Sequence, residues 1–495
     1  MTWAFRATAI FALAIAMAAP AAAKHHRLPK VALSGTPAPV QPAPTVPTAP
    51  IKPSLTLDEA LGIAYETNPQ LAMQQASLRA TDEGVAIANG AWRPTISAGG
   101  TYAYQQFFFS PIVIPGFGTI SSVSAHPIQG AITVTQPILR GGRTIAEIGR
   151  AKALVRAGRA QLLAAEQTVL LSAATAYMDV VRDTAILGLR QHNVELLKKQ
   201  ADATQAQFDV GSLTRTDVAQ SQARLAGAQS DLTAAQSQLE VSRANFMQAI
   251  GRTPETLENE PALPPALPTG ADDSITLALK QNPAMVSARE NEIAADYAVN
   301  DAIGAMLPTL SVQGQYGHSQ GSLVSPFGTS SIGGTSSNAL TVTGQLTVPI
   351  YQGGIEEATV RQAKELHAQA QLNVAASDLQ VRDAVASAWA QFEAAEASIA
   401  SNEAAERANE IAFEGVTKEQ QFGSRTILDV LNAEQELLNA AVALVSAKRN
   451  AEVAAFQVLA VSGVLTAKNL GLKVKYYDPL EHYDDDAARW IGLGD

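Results

Sequence analysis

Gly211-Ser-Leu-Thr-Arg-Thr-Asp-Val218 lies between two very long stretches of helical periodicity, and Gly423-Ser-Arg-Thr-Ile-Leu-Asp-Val430 repeats the arrangement later in the chain. A glycine that ends one helix, a short polar loop and an acid at the start of the next helix are the requirements of a helical hairpin tip. Gly211 with Ser212 and Gly423 with Ser424 mark the two tips. The match extends outward from them. Pro137-Ile-Leu-Arg-Gly-Gly142 returns as Pro349-Ile-Tyr-Gln-Gly-Gly354 at the same separation, and Asn68-Pro69 and Pro94-Thr95 return as Asn282-Pro283 and Pro308-Thr309 two residues further apart. The chain is one structural unit written twice, over residues 55–270 and 271–472.

Composition limits what this unit is. In 495 residues, aromatics make up 5% and charged residues 16%, which suits Ala-rich helix packing better than a bulky enzyme core. A formal net charge of -11 argues against nucleic acid as a partner. Met1 to Arg6 is a short basic start, Ala7 to Ala19 an apolar run and Ala21-Ala-Ala23 a small-residue cleavage site, so residues 1–23 read as a secretory signal peptide. Residues 24–54 are rich in proline, as in Pro42-Ala-Pro-Thr-Val-Pro47, and read as an extended linker. The chain has 0 Cys, which removes disulfides, thiol chemistry and a lipid-attachment cysteine. After the leader no run reaches the roughly 18 apolar residues of a membrane-spanning helix, so any membrane insertion must use strands.

Helix-start signals punctuate both repeats. Thr56-Leu-Asp-Glu59 fits a capping box, and Asn68-Pro69 and Asn282-Pro283 pair an N-cap with proline at the first helical position. The helices they open run to about Ala91 and Ala305, before Pro94 and Pro308. The period then changes from about 3.6 to 2. Ile96, Ala98, Gly100 and Tyr102 alternate with Thr95, Ser97 and Thr101; Ile128, Ile132 and Val134 with Gln129, Thr133 and Thr135. In the second repeat Leu310, Val312 and Tyr316 alternate with Ser311, Gln313 and Gln315, and Leu340, Val342 and Leu346 with Thr341, Thr343 and Gln345. Strands are expected near 94–110, 127–139, 308–318 and 339–350, each with one apolar and one uncharged polar face, the outer-membrane strand signature. The stretches around Phe107-Phe-Phe109 and from Ser319 to Ser337, rich in Gly, Ser and Pro, read as loops.

From Gly142 to about Val210, and from Gly354 to about Phe422, close to 70 residues of helix would span about 100 Å. After the tips, Val218, Leu225, Leu232, Leu239 and Phe246 recur every seven residues, with Ser221, Ala228, Ala235, Ser242 and Ala249 three positions on. The second copy has Val430, Leu437, Leu444, Ala451 and Val458 with Ala433, Ala440, Ala447, Ala454 and Val461. Large residues at one seam position and small ones at the other pack antiparallel helices closely. The acidic tail 473–495 shows no clear period. Four strands cannot close a barrel, and open sheet edges are not tolerated in hydrocarbon, so a membrane reading requires oligomerisation. Two copies would leave a filled interior; three give twelve strands and room for water.

Together these features resemble the TolC family of outer-membrane export channels, over roughly Leu55 to Leu472. The resemblance implies a mainly α fold with a small β part: duplicated coiled-coil hairpins forming a periplasmic barrel, plus four transmembrane strands per protomer and twelve in a trimer. It implies a homotrimer in outer-membrane lipid, docked through a periplasmic adaptor (membrane fusion) protein to an inner-membrane transporter of ABC or RND type. It also implies a periplasmic gate: Arg425 matches the gate arginine, Asp429 the acid of the constriction ring, and Thr216 and Asp217 their partners on the first hairpin. Asn432 stands where some members carry a second ring acid, and Gln420 where they carry a gating tyrosine. Type I protein secretion and multidrug efflux both fit; a periplasmic coiled-coil scaffold or adhesin without a pore explains the heptads but not the four alternating segments. No zinc-spaced His/Cys set, phosphate loop or nucleophile elbow is present, so neither an enzyme nor a cofactor is expected. His25 and His26 flank the cleavage site without a third ligand.

Overall fold

The alternation of apolar and hydroxyl residues sorts itself into a single antiparallel sheet, and the heptads into two long hairpins. The computed structural model describes residues 55–115, 118–258, 267–324, 331–486 and 489–492; the expected leader and Pro-rich linker lie outside them. In chain order the first repeat runs α1 (Leu57–Thr67), α2 (Pro69–Gly90), β1 (Thr95–Tyr102), β2 (Gln105–Ile114), β3 (Gly118–Ala125), β4 (Ile128–Arg140), α3 (Arg143–Asp209) and α4 (Arg215–Ile250). The second runs α5 (Ala271–Gln281), α6 (Pro283–Gly304), β5 (Thr309–Val324), β6 (Ser331–Thr347), α7 (Ile355–Gln421) and α8 (Ile427–Val461), followed by a short α9 (Glu481–Asp486). The capping box at Thr56 is formed, with Glu59 N donating to Thr56 Oγ1 at 3.3 Å and Thr56 N to Glu59 Oε2 at 3.4 Å. Asn68 and Asn282 each accept from the amide two residues on, at 2.9 Å.

The sheet register explains the alternation. β1 pairs with β4, β4 with β5 and β5 with β6, all antiparallel. Ile96, Val134, Gly314 and Val342 therefore form one row across the sheet, and Ala98, Ile132, Tyr316 and Leu340 the next row on that face. The opposite face is built of rows such as Thr95, Thr135, Gln313, Thr343 and Ser97, Thr133, Gln315, Thr341. Both faces are largely exposed in one chain, and among the described residues β1 and β6 each pair on one side only.

The strands extend further than the sequence suggests. The segment around Phe107-Phe-Phe109 is not a loop: β2 and β3 continue β1 and β4 as a hairpin, with Phe107 opposite Val123 and Ile112 opposite Ile120. Pro111 is accommodated because the register shifts between Phe108 and Ile112, a bulge where no ladder donor is needed. Much of the expected loop from Ser319 to Ser337 likewise lies in β5 and β6, with Ser319 Oγ and Ser337 Oγ 2.7 Å apart and His318 Nδ1 2.6 Å from Asn338 Oδ1. Residues 325–330 are not described. Gly and Ser have poor strand propensity, but cross-strand pairing on a hairpin overrides it.

At the exit from the sheet, Gly141 and Gly142 take φ of 60° and 81°, and Gly353 and Gly354 of 69° and 79°. A Cβ on Gly141 would lie 2.2 Å from the Gly304 carbonyl oxygen, so this corner admits only glycine. Beyond it α3 and α7 each run 67 residues, about 100 Å at 1.5 Å per residue. α3 packs on α4, α7 on α8, α2 and α6 lie against α3, and α8 packs also on α3. Every seam residue named above on α4 and α8 is buried or half-buried. The equivalent aromatics Tyr177 and Trp389 anchor two apolar clusters. Tyr177 packs 6.3 Å from Phe246 and Trp389 edge-on 5.7 Å from Phe392. The repeats are tied by ions: Arg449 of α8 reaches Asp179 of α3 at 2.8 Å, Arg182 bonds Asp179 and Asp183 at 3.0 and 2.7 Å, and Ser242 of α4 donates to Asp183 at 2.5 Å.

The segment after α8 and the tail that follows it are packed. Leu465, Ala467 and Leu472 enter the first core, Ala467 N donates to Glu166 Oε1 at 2.7 Å, and Tyr477 N donates to the Tyr65 hydroxyl at 3.1 Å. α9 lies on α2, with Tyr483 under the Arg159 guanidinium at 5.0 Å and His482 3.6 Å from the buried Asp82.

Candidate periplasmic gate at the hairpin tips

Both tips use the same backbone device. Gly211 and Gly423 are left-handed at φ 82° and 77°. Ser212 N bonds back to Gln207 O at 2.9 Å and Gly211 N to Phe208 O at 2.8 Å; Ser424 N and Gly423 N do the same to Glu419 O at 3.0 Å and Gln420 O at 2.9 Å. These are Schellman closures, which satisfy the last carbonyls of α3 and α7. The chain then enters the next helix through a second capping box. Thr214 Oγ1 donates to Asp217 Oδ2 at 2.7 Å, Thr214 N donates to the same oxygen at 2.9 Å, and Asp217 N returns to Thr214 Oγ1 at 3.3 Å. Thr426 and Asp429 repeat this with the same three distances.

Asp217 and Asp429, expected to lie at the gate, thus first serve as caps. Hydrogen bonds from Thr214 and Thr426 hold their carboxyls below the usual range, so both stay ionised through mildly acidic pH. Each Oδ2 is engaged in its cap. Arg425 is exposed and bonds Glu419 Oε2 through Nε at 2.9 Å; that carboxylate, and secondarily Asp429, raise its pKa. Thr216 is exposed and Gln420 half-buried. Within one chain, among the described residues, Asp217 bonds its own Thr214 and not Arg425. The polar link between hairpins near the tips is instead Arg224 of α4, which donates to Asn432 Oδ1 of α8 at 2.9 Å. Behind it Leu431 packs with Leu197 of α3 and Ala228 of α4.

The sequence reading missed Thr214, Thr426, Glu419, Arg224 and Glu434. For the first two the signal was visible, a Thr three residues before an Asp at a helix start. Glu419 and Arg224 needed the fold, being one helix turn from the tip or on the facing hairpin. Glu434 is 6% exposed on the face of α8 that carries Leu431 and Leu438. Its Oε1 has no hydrogen-bond partner among the described residues, and burial pushes its pKa up to about 7. Glu452, about five turns further along α8, is raised in the same way to about 7. It borders a groove of about 830 Å³ between α3, α7 and α8, lined also by Arg182, His192, Glu406, Lys448 and Arg449.

Among the described residues no helix is long and apolar enough to cross a membrane. A sheet with one apolar and one hydroxyl-rich face, joined to paired helices of about 100 Å, defines the class: an outer-membrane channel protein with a long periplasmic extension. Comparison with known proteins agrees. The sequence profile of the family described as outer membrane efflux protein matches residues 60–252 and 274–464, so each repeat carries one match. The outer membrane efflux protein BepC of Brucella suis is 35% identical over 452 residues, covering 91% of this chain and 94% of that relative. The outer membrane protein TolC of Escherichia coli is 25% identical over 431 residues, covering 84% and 85%. The solved outer membrane channel CmeC of Campylobacter jejuni shares the fold, with a TM-score of 0.73 at 18% identity over 87% of this chain and 89% of that one. The chain belongs to the outer membrane efflux protein family. It is a passive outer-membrane duct for efflux or secretion, not an enzyme.

Proposed function

We propose that three copies of this chain close one twelve-stranded barrel and one helical conduit, through which substrates handed over by an inner-membrane transporter and a periplasmic adaptor leave the cell. One observation carries the reading: a single chain presents a sheet whose two edges, β1 and β6, are unpaired among the described residues while both faces are exposed. Unpaired edges in hydrocarbon are too costly to persist, so β1 of one copy pairs with β6 of the next. With four long strand tracks per chain, two copies leave a filled interior and three leave a water-filled one; the Thr and Gln face suits water. α7 adds support. Of its 67 residues only Val381, Val385, Ala388, Trp389 and Phe392 are buried in one chain, which leaves most of its length for neighbouring copies.

At the periplasmic end, Arg425, Asp429, Asn432 and Gln420 of one copy meet Thr216 and Asp217 of another and narrow the mouth. The Asp429 side chains form one ring of three carboxylates. Asn432, held by Arg224, ties the second hairpin to the first, and opening moves α7 and α8 off that contact. BepC is named an outer membrane efflux protein and a 26% identical relative an alkaline protease secretion protein, so efflux and secretion are the two export routes its relatives offer this chain.

Because the chain has 0 Cys, the assembly is testable by disulfide trapping. Ser97→Cys on β1 is combined with cysteines scanned along Thr341, Thr343 and Gln345 of β6. Oxidation of outer membranes gives a ladder of one, two and three copies that ends at three. A ladder ending at two, or no cross-link at any β6 position, sinks the proposal.

A further inference from the structure

The last described residues of the chain form a surface that the export reading does not use. After α9 the segment returns to the junction between α2 and β1. Arg93 Nη1 donates to the Arg489 carbonyl at 2.5 Å, and the Arg93 guanidinium lies 4.7 Å from the centre of the Trp490 ring. Arg93 itself sits at the foot of the sheet: Pro94 and Thr95 follow it, and the carbonyl of its neighbour Trp92 accepts from Gln136 Nε2 of β4 at 2.8 Å. The chain therefore spends a cation–π contact and a backbone hydrogen bond to fix Trp490 there, yet leaves it 68% exposed and the following Ile491 93% exposed. Trp92, next in sequence to Arg93, is also exposed, as are Ile138 and Leu139 at the foot of β4, which pairs with β1.

We infer that Trp490 and Ile491 are a membrane anchor: the C-terminal segment is strapped along α2 and inserts these two side chains into the periplasmic leaflet of the outer membrane. The occupant is phospholipid because the patch is continuous with the foot of the membrane sheet. β1 begins the apolar rows with Ile96, only a few residues from Arg93. Tryptophan prefers the level of the headgroups, where its ring meets acyl chain and its N–H meets water, and an arginine beside it reaches the phosphates. Glu481, Asp484 and Asp485 lie earlier in the segment on α9, whose His482 and Tyr483 meet Asp82 and Arg159 of the helical body rather than the foot of the sheet. The strap fixes the height of the helical conduit against the bilayer, since α2 bears the anchor and packs directly on α3. The inference rests on the outer-membrane position of the sheet and is independent of the number of copies.

The test is tryptophan quenching in the full-length protein, reconstituted into phosphatidylethanolamine and phosphatidylglycerol vesicles whose acyl chains carry bromine near the headgroup or near the chain end. The chain has 4 Trp; in a Trp3→Phe, Trp92→Phe background only the buried Trp389 and Trp490 remain. Bromine near the headgroup should remove about half of that emission, because one of the two remaining tryptophans is at the interface. Bromine at the chain end should remove less, and adding Trp490→Phe should abolish quenching by either. Equal, negligible quenching with and without Trp490 overturns the inference, whether water or a neighbouring copy covers the ring.

Discussion

Replacing Glu434 by Gln tests how the two hairpins are held behind the tips. Burial lifts the carboxyl from 4.5 to about 7, and no cation among the described residues offsets it. That rise corresponds to roughly 3 kcal/mol of preference for the protonated form in the folded chain. The folded state therefore binds this proton more tightly than the unfolded chain does. Its stabilising effect is complete below pH 4.5 and is lost as pH rises through about 7. Gln keeps the size and removes the charge, so Glu434→Gln should be more stable than the parent at pH 8 by up to about 3 kcal/mol per chain and nearly equal to it at pH 4.5. The amide needs hydrogen bonds of its own, which makes that figure an upper limit. Unfolding of the detergent-solubilised protein is followed by circular dichroism at both pH values, at one scan rate. The same seam is read in planar bilayers, where the variant should open less often at pH 8. An equal difference between parent and variant at both pH values would refute the linkage, because a packing effect alone does not titrate.

Changes at four positions address the tips. Thr426→Ala removes the cap of α8 and should cost about 1 kcal/mol, with faster protease cleavage between 422 and 430; Thr426→Ser should restore the parent rate. Asn432→Asp places a carboxylate against Arg224 and adds a second acid to the ring. Open probability should fall and polyvalent cations should block more strongly, while an exposed pair adds only about 0.2–1 kcal/mol to stability. Arg425→Ser should raise single-channel conductance and antibiotic entry, and Glu419→Gln should reproduce part of that effect by releasing the arginine; if neither variant changes conductance or entry, Arg425 has no gating role.

Much of the fold was legible because the signals repeat. Each helix start around Thr56, Asn68 and Asn282, each Gly-Gly exit and both tips sit where local chemistry requires them, and the seam from Val218 to Phe246 is buried as its heptad demands. The strand ends were not legible. Whether Ser319 to Gly321 pair depends on Ser337, Ser336 and Thr335 opposite them, and pairing partners cannot be read from one segment's composition. The tail failed for a related reason: Tyr477, like Leu465 and Leu472 just before the tail, is held by residues of α1 and α3 hundreds of positions earlier, and no period along the segment encodes that. At the tips the residue types were visible but their partners were not. Asp429 reads as a ring acid from its position and as a cap from its geometry, and the second role accounts for its place three residues after Thr426.

In the proposed gate, the electrostatics of the mouth divide between a fixed charge, Asp429, and a titrating one, Glu434. Asp429 is held ionised by the Thr426 hydroxyl and amide, so acid weakens its cap only once pH falls through a value below the ordinary carboxylate range. Glu434, less than two turns further along the same helix, changes charge near neutrality. A permanent carboxylate is suited to binding cations in the pore, whereas a buried group that gains charge near pH 7 is suited to loosening the seam on which the second hairpin turns. The two should separate in one recording. Between pH 8 and pH 4.5, block by a polyvalent cation should persist at undiminished affinity and disappear in Asp429→Asn, while the pH dependence of opening survives that change and is lost in Glu434→Gln. Loss of block in parallel with the opening response in the parent protein would show that one titrating group governs both.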